Sequence, residues 1–115
     1  MRNAEIIIDH FLDFCVHYLE MRTKPAVIVI NDKKWSVEKG TFGIYVPSED
    51  KFTINIYDRH IMDILRTVAH EMVHAKQREE GVSDAPRDII EIQANRLGSM
   101  LIKVFGKKHP SYFGN

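Results

Sequence analysis

Between residues 59 and 80, Ile61, Ile64, Leu65, Val68, Met72 and Ala75 recur at three- and four-residue steps, the spacing that lines up one face of an α-helix. A helix patterned this way has to bury that face, so the remainder of a 115-residue chain must be arranged around it. Asp58 is suited to cap its start, and Gly81 is the residue that most easily adopts a left-handed stop at its end. At the margin of the apolar face stands His70-Glu71-Met72-Val73-His74. Residues four apart on a helix lie about 5–6 Å from one another on one side, so two imidazoles can share one metal ion. Glu71, one position round from His70, is badly placed to complete the clamp and well placed to take a proton from metal-bound water. H-E-x-x-H on a helix therefore points to metal-assisted hydrolysis.

With six histidines in the chain, about 0.02 chance occurrences of so short a motif are expected, so its context decides its meaning. A catalytic zinc needs a third protein ligand and an open fourth position. After Gly81, Ser83 and Asp84 are capping residues, Pro86 suits a first helical turn and Gly106 a stop. The apolar set between them is Ile89, Ile90, Ala94, Leu97, Leu101, Val104 and Phe105. The connection is short enough to fold this helix back against the first. That brings Glu91 toward the two histidines, giving a His70, His74, Glu91 set; its bland alternative is a solvated first-turn glutamate. Glu79 and Glu80 would have to double back along their own helix, and Asp84 and Asp88 read as a cap and a first-turn acid. Asn95, four residues after Glu91, shares its face, and its carbonyl is a candidate acceptor for the second ring N–H of His70 or His74.

The preceding half changes period. Residues 3–21 read as an amphipathic helix capped by Asn3, with Ile7, Phe11, Phe14, Cys15 and Tyr18 inward. Residues 27–30, 35–37, 42–46 and 52–56 are short β-branched or aromatic runs punctuated by turn residues. The expected fold class is α+β: an N-terminal helix, a three- to four-stranded, mainly antiparallel sheet, then the motif helix and a second ligand-bearing helix, all in one domain. If the strand at 52–57 is the sheet edge nearest the metal, Thr53 and Asn55 are positioned to hold an extended peptide as an added strand.

Three segments together resemble a known group. They are Phe52-Thr53-Ile54-Asn55-Ile56, Thr67-Val68-Ala69-His70-Glu71-Met72-Val73-His74 and Glu91-Ile92-Gln93-Ala94-Asn95. A strand, then H-E-x-x-H, then E-x-x-A-N on the next helix is similar to the small gluzincin-type zinc metallopeptidases, and within them to the ImmA/IrrE-like peptidases. The resemblance covers roughly the last two-thirds of the chain. It implies a minimal zincin scaffold, Zn²⁺ held by His70, His74 and Glu91, Glu71 as general base and then acid, and Ala94 as a small residue permitting close helix packing. The implied activity is endopeptidase, with attack by zinc-bound water on a peptide bond of a protein or peptide substrate. A zinc-binding interaction module without turnover is the alternative from another class; a base beside the ligands argues for the enzyme.

Sixteen basic and sixteen acidic side chains cancel, which argues against a broad nucleic-acid footprint. No apolar run approaches a membrane span, and acids interrupt the apolar stretch at the amino terminus, unlike a signal peptide; a cytoplasmic protein is the expectation. His10 and His17 share a helix face without an evident third ligand, and Cys15 reads as a reduced core thiol. Tyr112 and His109 are candidates for an oxyanion-stabilising donor by residue type only.

Overall fold

The computed structural model describes residues 2–35, 42–82 and 84–113. Helix α1 spans Arg2–Tyr18, strands β1, β2 and β3 span Ala26–Ile30, Gly43–Val46 and Lys51–Asn55, and helices α2 and α3 span Ile61–Glu79 and Arg87–Lys108. A short 3₁₀ turn, Pro110–Phe113, follows. The architecture is α+β, with a three-stranded sheet beside packed helices. No described helix is long and apolar enough to cross a membrane.

The sheet is mixed, with the order β1-β3-β2, where a mainly antiparallel sheet was expected. β3 pairs parallel with β1 and antiparallel with β2. The side chain of Asn55, at the end of β3, clasps the parallel pair at one end. Its Oδ1 accepts the backbone N–H of Asp32 at 3.1 Å and its Nδ2 donates to the Asp32 carbonyl at 2.8 Å. The chain just beyond β1 is thereby bound to the end of β3. Asp32 Oδ1 also accepts the N–H groups of Lys34 and Trp35, starting a helical turn where a strand was expected; Ser36 and Val37 lie outside the described residues.

α2 is the hub, packing against α1, β2, β3 and α3. Its buried residues include Ile64, Leu65, Val68, Met72 and Ala75 from the expected face, widened by Ala69, Val73 and Gln77. They close on Phe52, Ile54 and Ile56 of the β3 region and on Phe11, Leu101 and Phe105 from α1 and α3. Fully burying one such large apolar side chain contributes about 1.5–3 kcal/mol. α1 is rotated from the expected setting: Ile8 and Leu12 are buried with Phe11 and Cys15, while Tyr18 is 44 % exposed. An aromatic at the end of a helix can lie over the surface, and Ile8 and Leu12 fill the gap between Phe11 and Cys15 more compactly.

Two boundary signals act differently from expectation. His60, not Asp58, caps α2, its Nδ1 accepting the Met62 N–H at 3.0 Å, while Asp58 takes a left-handed turn conformation. α3 continues through Gly106 to Lys108; a Cβ on Gly106 would meet the Phe113 ring at 3.4 Å, so this glycine serves close packing of the 3₁₀ turn. Gly81 does provide the left-handed turn after α2, at φ 72°.

Candidate metal centre

The site lies where α2 and α3 press together. Ala94 is fully buried between them, and Gly98, one turn on, lies against Ala69 and the backbone of His70. Two small residues at this spacing let the helices approach closely and bring Glu91 over the two histidines. His70 Nε2 and His74 Nε2 are 3.0 Å apart. Glu91 Oε2 lies 3.3 Å from the first and 3.4 Å from the second. Among the described residues this is the one group of three or more potential metal-ligating side chains so gathered.

These spacings are a test of fit. Ligand bonds of about 2.0–2.1 Å at tetrahedral angles place donor atoms about 3.3–3.4 Å apart. The observed triangle has that size, so one ion can touch all three atoms with little movement. The three side chains remain 23–38 % exposed, so solvent reaches the group. The donor chemistry agrees, since two imidazoles and a carboxylate suit zinc and other divalent first-row metals.

The tautomer of His74 follows from its neighbour. Gln77 is 3 % exposed, and its Nε2 lies 3.1 Å from the Ile90 carbonyl and 2.7 Å from Gln93 Oε1. A backbone carbonyl only accepts, so this end of the amide must be the donor. Gln77 Oε1 then faces His74 Nδ1 at 2.8 Å and accepts its proton. In the neutral ring the lone pair then lies on His74 Nε2, on the side of the site, as a ligand requires. A proton bridges two acceptors well, whereas here three acceptor-capable atoms converge; a metal ion satisfies all of them.

Glu71 takes no part in the triangle. Burial, more than any neighbour, raises its carboxyl pKa; His74 acts in the lowering direction and Glu91 in the raising one. Gly43 of β2 lies against it: a Cβ there would stand 3.7 Å from Glu71 Cγ and 2.7 Å from Thr67 Cγ2. The missing side chain lets β2 rest on α2 and wall off one side of Glu71.

Other candidate residues fall elsewhere. Asn95 is exposed and hydrogen-bonds neither histidine, although it lines a shallow groove with His70; the acceptor role sought for it belongs, for His74, to Gln77. Asn55 is fully buried in its clasp on Asp32, and Thr53 lies on the central strand of the sheet, so β3 is not the expected edge and neither residue is presented to an added strand. His109 and Tyr112 follow α3, some 18 residues beyond Glu91, a distance of about 27 Å along a helix. Tyr112 hydrogen-bonds His10 and stacks on His109, so these groups join the chain ends. Glu79 accepts the N–H groups of Arg22 and Thr23. Burial pushes the Cys15 thiol pKa up, as befits a core cysteine.

From His74 and Glu91 the site opens into a cleft of about 320 Å³ whose other walls carry Tyr45, Arg78, Ala85, Arg87 and Ile90. Sequence reasoning passed over Gln77, Arg78 and Arg87. The signal for Gln77 was its place three residues after His74, a spacing that faces helical side chains toward each other. Compared with protein-family models, curated proteins and solved structures, the chain matches none of them.

Proposed function

We propose that the protein is a zinc-dependent endopeptidase of gluzincin type on a minimal zincin scaffold. The observation that carries this reading is the His70, His74, Glu91 triangle, sized for one tetrahedral ion, with a carboxylate beside it that the ligand set does not use. Bound there, zinc supplies a Lewis acid that polarises a carbonyl and acidifies water.

The chain's own residues supply the rest. Gln77 holds His74 in the ligating tautomer and ties it to α3 through the Ile90 carbonyl. Glu71 accepts the proton of the attacking water and returns it to the leaving amine, one carboxylate serving as base and then acid. Its burial favours the first of these, because a carboxyl with a raised pKa holds a transferred proton more firmly than one in open water. In this reading the substrate enters by the open cleft beside His74 and Glu91. A module that merely held metal would have no need of a half-buried carboxylate alongside its ligands.

The test is cleavage. Wild-type protein loaded with zinc and incubated with a cell lysate should generate new peptide termini, and the Glu71→Gln variant, with its zinc retained, should generate none. New termini at equal yield from both proteins would overturn the reading.

A further inference from the structure

The cleft carries two cations that its surroundings leave without an ion pair. Arg78 stands four residues after His74 on α2, and Arg87 four residues before Glu91 on α3. Each is thus one helical turn beyond a metal-ligating side chain, and both line the same cleft. Two carboxylates near Tyr45, Asp50 and Glu79, make hydrogen bonds to other groups. Asp50 accepts the hydroxyls of Tyr45 at 2.8 Å and Thr23 at 3.0 Å, and Glu79 accepts the backbone N–H groups of Arg22 and Thr23. Glu91, the acid inside the cleft, is turned to the histidines. Among the described residues neither arginine lies within ion-pair distance of a carboxylate.

We propose that Arg78 and Arg87 form a carboxylate-binding subsite that selects substrates with an acidic side chain close to the bond to be cut. The inference rests on the peptidase reading and adds a substrate class to it. A guanidinium presents a planar fork of donors that matches a carboxylate, and both arginine side chains are exposed and so open to one. One helical turn is about 5.4 Å, while an extended peptide advances about 3.3–3.6 Å per residue. An acidic side chain held by the arginines therefore belongs to a residue within about two positions of the carbonyl over the metal. Lysine or arginine at that position meets like charge.

The probe is a set of amino-terminally fluorescein-labelled, carboxy-amidated hexapeptide pools, each with one position held as Glu, Gln or Lys and the others varied. Fluorescence anisotropy reads their binding to the zinc-loaded Glu71→Gln protein, and mass spectrometry reads their cleavage by wild type. In one position the Glu pool should bind about ten-fold tighter than the Gln pool, and the Arg78→Ala/Arg87→Ala double variant, still zinc-loaded, should lose the difference. Equal binding of Glu and Gln pools, or no binding of any pool, overturns the subsite. So does a Glu preference that survives in the double variant, which would put the carboxylate on the metal. A gain seen only for unamidated pools would assign the arginines to a chain terminus and also overturn it. Cleavage without Glu preference removes the subsite and keeps the peptidase; Glu-selective binding without cleavage removes the peptidase and keeps the subsite.

Discussion

The side-chain oxygen of Gln77 lies 2.8 Å from Nδ1 of His74, and the amide nitrogen of the same glutamine reaches across to α3. One buried side chain thus faces His74 on α2 and ties α2 to the helix that brings in Glu91.

Gln77→Ala should weaken metal binding about 10–100-fold, the usual effect of losing the partner of a ligating histidine. It should also lower stability by about 1–3 kcal/mol, because the Ile90 carbonyl and His74 Nδ1 lose a buried partner. Chelator competition and denaturant titration of the metal-free protein measure the two effects separately. Unchanged metal affinity would remove Gln77 from the site.

Two glycines at α2 should respond in opposite ways. Gly43→Ala forces a methyl to 2.7 Å from Thr67 Cγ2, so β2 or the Thr67 side chain must shift beside Glu71; a loss of about 1–3 kcal/mol is expected, with slower cleavage. Gly98→Ala meets Ala69 and His70 at 3.5–3.7 Å, ordinary contact, and removes a helix-interior glycine. It should be neutral or stabilise by up to about 1 kcal/mol. Thermal denaturation of the pair distinguishes them, and equal losses would contradict the close approach of β2.

Tyr45 gives a test at alkaline pH. Burial and its hydrogen bond to Asp50 raise its pKa to about 12, against about 10 in an unfolded chain. The folded state then binds more protons than the unfolded state between those values, so stability falls as pH rises from about 10 toward 12. In Tyr45→Phe this part of the decline should vanish. Denaturant titrations of both proteins at pH 9 to 12 check it, and parallel declines would show that the phenol is not held.

Much of this architecture was legible in the sequence, because periodicity reports faces. The α2 pattern placed His70 and His74 beside a buried stripe, and the Glu91, Ala94 spacing pointed to the helix contact. What escaped were relations fixed by distant partners. The parallel pairing of β1 with β3 brings Asn55 to Asp32 across 23 residues, a meeting that no local pattern announces. Asn95 and Gln77 were equally eligible by helical spacing to hold a histidine; the rotation of α3, set by Ala94 and Gly98 against α2, left Asn95 exposed and drew Gln77 inward. Asp58 had the better capping chemistry on paper, but the turn puts His60 at the first free N–H groups of α2.

On the proposed reading, three side chains from two helices hold one ion. Zinc stoichiometry and affinity of purified wild type, Glu71→Gln and Glu91→Ala, titrated against a chromogenic chelator, test it directly. Wild type and Glu71→Gln should each bind one zinc with similar affinity, and Glu91→Ala should bind it far more weakly. Full-affinity binding by Glu91→Ala, or the absence of zinc binding by wild type, would contradict it.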